Sequence, residues 1–326
     1  MLVFRELKEN LLESSSLALG VFDGVHLGHQ KVILNAVKKA QELGITNAVV
    51  TFAKHPRHVI LKSHPRKNEL QSSNAAASAS SLRTFTPASH SMLSSLEERL
   101  ELFENLGVQA AIVLDFDEKL ASMTAKEYLE KVLTGSLNAK NITIGYNHKF
   151  GSDRQGGNKF LEEYSQKYGY EVNVISPVKI DNHIISSSVI RKFLLKGDVE
   201  TAAKFLGRNF NVKGTIIHGQ HLGRTLGFPT ANLSLSDELI IPLNGVYSGL
   251  VKIDSKEYHA VINVGKRPTI GDLKKDLAEA HILEFDEDIY GKIIEVSFLK
   301  RIRDEKKFNS LEELKVQIKK DCDFVK

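Results

Sequence analysis

A chain of 326 residues exceeds the roughly 250–300 at which a single core stops growing, so two domains are expected. With 42% hydrophobic and 26% charged residues, disorder is excluded, and a formal net charge of +4 suits phosphorylated small molecules as well as nucleic acid without choosing between them. The single cysteine, Cys322, excludes an intrachain disulfide and a cysteine-based zinc site, which points to a reducing cytoplasm.

The opening "MLVFRELKENLLESSS" carries charges throughout and lacks a signal-peptide apolar stretch. No later run approaches the ~20 apolar residues of a membrane span, so no membrane partner is expected. "SLALGVF" (16–22) predicts a strand. "KVILNAVKKAQELG" (31–44) predicts a helix with Val32, Ile33, Ala36, Val37, Ala40 and Leu43 on one face and Gly44 as its stop. "NAVVTFA" (47–53) reads as a strand, and "SLEERLELFENLGVQAAIVLDF" (95–116) as a helix, Gly107 and a strand. "NITIGYNHKFG" (141–151) is a strand entering a loop, and "EVNVISPV" (171–178) is another strand. Strands alternating with helices imply βαβ units and a parallel sheet. The stretch 64–91, rich in Ser and Ala and without a period, predicts a long surface loop or disordered segment.

Near residue 185 the pattern changes. Residues 187–207 predict two short helices broken at Gly197, with Asp198 capping the second. "NVKGTIIHG", "NGVYSGLVKID", "KEYHAVINVG", "AEAHILEFD" and "KIIEVSFLKRIR" are short, turn-bounded and rich in Val, Ile and Tyr, which predicts a small antiparallel β-barrel. "SLEELKVQIKKDCDFVK" predicts a closing helix. The expected domains are 1–190 and 191–326, with the boundary within about 185–205.

"LGVFDGVHLGHQ" (19–30) places His26 and His29 between the first strand and the first helix. Free backbone N–H groups and the dipole at a helix N-terminus favour an anion, Gly24 and Gly28 allow tight turns and close approach, and imidazoles can donate to phosphate oxygens. A phosphate site is the economical reading. Zinc is the rival, but it would want a third protein ligand, and the H-E-x-x-H arrangement is missing. The stretch is neither a Walker A loop nor a G-x-G-x-x-G fingerprint.

"GVFDGVHLGH" resembles the H-x-G-H signature of the nucleotidylyltransferase superfamily, in the version carried by bacterial bifunctional riboflavin kinase/FAD synthetases. "TFAKHP", "GYNHKFG", "ISSSVIR", "GRTLGFPTANL", "NGVYSG", "INVGKRPT", "EAHILEFD", "YGK" and "FLKRIRDEKKF" are similar to the same family in the same order. The resemblance spans almost the whole chain except the 64–91 stretch.

For the first domain the resemblance implies attack of the FMN phosphate on the α-phosphorus of ATP, giving FAD and pyrophosphate. Such a transfer needs alignment and charge stabilisation rather than a protein nucleophile. His26 and His29 would act on the ATP phosphates, and Ser188 and Arg191 would add a hydroxyl and a guanidinium fork. Asn147 and His55 would serve the flavin side, Asn147 through a phosphate or Mg²⁺. The inserted 64–91 stretch follows "TFAKHP" and bears on FMN more than on ATP.

For the second domain the resemblance implies riboflavin kinase, in which the ribityl 5′-hydroxyl attacks the γ-phosphate of ATP. Gly223 and Gly227 would bring backbone N–H groups to phosphates, and Thr230 and Asn232 offer hard oxygens to Mg²⁺. Glu279 is the candidate base; it shares a strand face with His281 two residues on. Riboflavin, FMN and ATP are the expected partners. Nucleic acid is not, because no RNP-like aromatic strand occurs. The alternatives are a kinase whose first domain is impaired, and a flavin- or nucleic-acid-binding regulator.

Overall fold

The computed structural model describes residues 1–54, 91–219, 226–267 and 275–325, with the backbone alone at 266, 267 and 275–277. His55, Gly223 and positions 64–90 of the expected loop lie outside the described residues; Ser91 is buried. The chain divides into two compact units, Met1–His90 with Ser94–Ile185, and Ser91–Leu93 with Ser186–Lys326.

The first unit is built on six parallel strands: β1 (Leu2–Phe4), β2 (Ser15–Leu19), β3 (Thr46–Phe52), β4 (Ala110–Leu114), β5 (Ala139–Gly145) and β6 (Glu171–Ile175). Their order is β1-β4-β3-β2-β5-β6. Chain progression therefore reverses between β2 and β5, and in open α/β sheets ligands bind beyond the carboxyl ends of the strands at such a point. Helices α1 (Leu27–Leu43) and α2 (Leu96–Asn105) cover one face, where Ile33, Val37 and Phe103 meet Ala18, Val49 and Ala111. The other face takes Leu129, Val132 and Leu133, from a π-helix over Tyr128–Ser136, and Leu161 from α3 (Asn158–Tyr168). Burial on both faces explains why these strands read as nearly unbroken apolar runs.

Helix α1 corrects the sequence reading at its start. It begins at Leu27 rather than at 31, so His29 lies in the first helical turn and not in a loop. Leu43, on the apolar face, is 50% exposed where the helix ends at Gly44 (φ 67°).

In the second unit, α4 (Ser187–Leu194) and α5 (Val199–Leu206) are the two expected short helices, and the Asp198 side chain accepts from Thr201 N at 2.9 Å as N-cap. Six strands then close an antiparallel barrel: β7 (Phe210–Ile217), β8 (Ala231–Ser234), β9 (Gly245–Ile253), β10 (Lys256–Arg267), β11 (Lys275–Ile282) and β12 (Ile293–Arg303). Phe210, Val212, Leu233, Ile262, Ala280 and Phe298 fill it. The sequence predicts five of these strands and not β8. Four residues after a proline carry too little period to register, and pairing to β7 and β11 makes them a strand.

The closing helix α6 (Leu311–Val325) packs Cys322 and Val325 against Val246 and Val261. Asp321, 2% exposed, receives Arg303 Nη2 at 2.7 Å and Nε at 3.1 Å, and Gln317 Nε2 at 2.8 Å. Removing one partner strands a buried charge, so Asp321→Ala is expected to cost about 3–5 kcal/mol in urea unfolding of the second unit. A loss below about 1 kcal/mol, the value of a surface pair, would show that water reaches the pair.

Candidate active site

In the first unit the segment leaving β2 bends through Phe22 (φ 53°), Gly24 (φ 79°) and Val25 (φ 40°) before α1 begins. A β-branched residue at positive φ is a true outlier that persists only where surrounding contacts hold it. Gly24 N donates to Ser94 Oγ at 2.9 Å, and Val25 N to Phe22 O at 3.0 Å. His26 is the N-cap: its Nδ1 accepts from His29 N at 3.2 Å, which leaves the proton of the neutral ring on Nε2. The two imidazoles stack at 3.5 Å between centroids and 18° between planes. Gly28 makes no turn. A Cβ there would lie 3.2 Å from the His26 ring, closer than ordinary contact, so any larger residue would press on that ring.

His29 stands edge-on to Phe22 at 5.3 Å, and its Nδ1 is buried with no hydrogen-bond partner among the described residues. Burial first, then the neighbouring His26 and Arg99, holds its pKa well below the ordinary imidazole value. The site is thus a helix N-terminus carrying two neutral imidazoles. Asn147, in the turn after β5, is exposed at the same carboxyl edge of the sheet, on the other side of the point where strand order reverses.

Ser188 and Arg191 fall in the second unit, on α4. Ser186 caps that helix and Ser188 is exposed in its first turn. Arg191 is buried at 6% exposure, and its Nε donates to Ser91 O at 2.6 Å. A buried guanidinium is held in one orientation, unlike the solvated arginine usual on a helix.

On the barrel, antiparallel register sets Asn232 of β8 opposite Glu279 of β11, and Glu279 opposite Asn263 of β10. Directly paired residues point to one face, so a carboxylate and two carboxamides form a row on the outside of the barrel. Asn232 is 5% exposed because the chain at Gly219 lies over it, where a Cβ would come within 2.3 Å of its Nδ2. Its Oδ1 is buried with no hydrogen-bond partner among the described residues. His281, on the same face, donates from Nδ1 to Pro229 O at 2.8 Å and takes Phe228 edge-on at 5.4 Å, tying the segment before Thr230 to the strand. Gly227 is exposed with φ 85°.

Family models match in the same order: FAD synthetase over residues 8–189 and riboflavin kinase over residues 206–326. The chain belongs to the bifunctional riboflavin kinase/FMN adenylyltransferase family. It is 37% identical over 317 residues to the Haemophilus influenzae bifunctional riboflavin kinase/FMN adenylyltransferase, covering 97% of this chain and 94% of that one. To the Bacillus subtilis protein of the same name it is 35% identical, covering 94% and 90%. A crystal structure from Streptococcus pneumoniae, described as a macrolide-efflux protein, superposes with a TM-score of 0.83 at 32% identity, over 100% of this chain and 99% of that one. Efflux is said of that protein; here no helix among the described residues is long and apolar enough to cross a membrane. The bifunctional enzyme therefore phosphorylates riboflavin and adenylylates FMN.

Two site features escaped the sequence reading. Asn263 lies in the quoted "INVGKRPT", but nothing local distinguishes it from any strand asparagine; only register brings it to Glu279. His148 follows Asn147, and burial pushes its pKa down to about 4. A folded-state pKa below the unfolded 6.5 means that only the unfolded chain takes a proton between those values. Stability is therefore full above pH 6.5, and up to about 3 kcal/mol is lost as the pH falls to 4. Unfolding of the first unit followed from pH 7 to 4 should show this slope, shallower in His148→Phe; an unchanged slope there would assign the acid sensitivity to other groups.

Proposed function

We propose that residues 1–190 carry FMN adenylyltransfer and residues 191–326 riboflavin phosphorylation, the boundary falling within about 185–205. In the kinase, Glu279 accepts the proton of the ribityl 5′-hydroxyl as that oxygen attacks the γ-phosphorus of ATP and ADP leaves. The paired register of Asn232 and Glu279 carries this reading, because it puts a buried, unsatisfied hard oxygen beside a carboxylate. That oxygen, with the Thr230 hydroxyl two residues before it, fits Mg²⁺. The cation would neutralise charge on the ATP phosphates. Gly223 and Gly227 would lend backbone N–H groups to the same phosphates, and the His281 to Pro229 hydrogen bond orients the segment that bears Thr230.

In the adenylyltransferase, His26 and His29 hold the ATP phosphates by hydrogen bonds from neutral rings, supported by the N-terminus of α1. The attacking FMN phosphate is already ionised, so no base is required. Asn147 and His55 would serve the flavin nucleotide, and Ser188 and Arg191 the ATP. The product of one reaction is the substrate of the other, and riboflavin, FMN and ATP are the partners, with neither nucleic acid nor membrane. A lone buried cysteine suits a reducing cytoplasm.

Purified protein with riboflavin, ATP and Mg²⁺, resolved over time, should form FMN first and FAD after a lag. FMN alone would restrict activity to the kinase, and flavin binding without turnover would remove both assignments.

A further inference from the structure

We infer that Arg99 is a positioning residue of the adenylyltransferase: its buried guanidinium locks the strained Val21–Val25 turn so that the His26–His29 pair meets the nucleotide phosphates in one geometry. The inference rests on the reading of those histidines as phosphate donors.

Arg99 projects from α2 and is 1% exposed. A guanidinium has five N–H donors in a fixed fork, and each meets an acceptor. Nη1 donates to Val21 O at 2.9 Å and Thr51 Oγ1 at 3.1 Å; Nη2 donates to Phe52 O at 3.0 Å and Ala53 O at 3.2 Å; Nε donates to Ser95 O at 3.4 Å. Thr51 Oγ1 also donates to Val21 O at 2.9 Å. Val21 heads the strained turn, Phe52 ends β3 and Ala53 follows it. One side chain therefore staples together the carboxyl ends of the two strands beside which the phosphate site is built.

The same helix grips the turn twice more. Ser94, just before α2, accepts from Gly24 N, and Phe103 of α2 packs edge-on against Phe22 at 5.8 Å, whose ring in turn meets His29. Asp23, buried within the turn, opposes the guanidinium charge. Apolar side chains fill such a space at least as stably as a buried charge does, so bulk alone does not explain arginine here. A fork that satisfies carbonyls pointing four ways does. Its charge also reaches His29 and disfavours the protonated ring.

The test compares Arg99→Met and Arg99→Lys in the full chain, measuring kcat and KM for FMN adenylylation, the melting temperature, and riboflavin phosphorylation as an internal control. Misplacing donors by about 1 Å costs on the order of 100-fold. Arg99→Met should lose that much in kcat for adenylylation, Arg99→Lys about tenfold, with KM for FMN and the kinase rate unchanged. Activity should rank Lys above Met whatever the order of their melting temperatures, since a packing role would make activity follow stability. Wild-type adenylylation in folded Arg99→Met overturns the inference. If that variant does not fold, Arg99→Lys decides alone: wild-type kcat overturns it and a tenfold loss supports it. His29→Ala, assayed in parallel, separates the two failures. Full activity there refutes the phosphate reading of the histidines, whereas inactivity beside a fully active Arg99→Met refutes only the role of Arg99.

Discussion

Replacing Glu279 by Gln should lower riboflavin phosphorylation by about 10²- to 10⁴-fold, the usual contribution of a general base. The amide keeps the shape of the side chain and its place between Asn232 and Asn263, but it cannot accept the hydroxyl proton. Supplied FMN should still be converted to FAD at the wild-type rate, because His26, His29 and Asn147 belong to the other compact unit and Ser188 and Arg191 lie on α4, not on the barrel strand that bears Glu279. The fall should appear in kcat, with riboflavin binding little changed, since the proton is transferred only as the new bond forms. Phosphorylation within about threefold of wild type would place the base elsewhere, well short of the loss expected of a general base.

The second large effect is expected at His29. Removing one preorganised donor to a developing oxyanion costs about 10²- to 10³-fold in kcat. His29→Ala should reach this range for adenylylation, so that FMN accumulates from riboflavin and FAD does not follow. The ring also stacks on His26 and meets Phe22, so alanine removes packing as well as a donor. His29→Gln separates the two: it keeps an N–H donor and part of the bulk, and recovery above alanine would identify the hydrogen bond as the active element. Circular dichroism and the kinase rate must first show both variants folded. If His29→Ala and Glu279→Gln each abolished both reactions in folded protein, one shared site would be indicated and the division of chemistry between the units would fall.

The features legible in the chain are those set by neighbours in sequence. Val32, Ile33, Ala36, Val37 and Ala40 recur with the helical period and are buried, Gly44 stops the helix, and Asp198 caps the one after Gly197. The alternation along Phe210–Ile217 marks a strand with one face inward. The two histidines three apart, before an amphipathic helix, mark an anion site by the same local logic.

Other features depend on partners remote in the chain. The order β1-β4-β3-β2-β5-β6 follows from which strand edges pair, and no single strand's period encodes that choice. That order puts the turn bearing Asn147 on the same edge as His26 and His29. β8 is a strand only because β7 and β11 supply its hydrogen-bond partners, and the same register carries Asn232 to Glu279 and Glu279 to Asn263. Arg99 reads in sequence as one basic residue on a helix otherwise charged by glutamates. It is buried because the ends of two parallel strands leave carbonyls that only a forked donor can satisfy together, and that demand exists only once the sheet has formed.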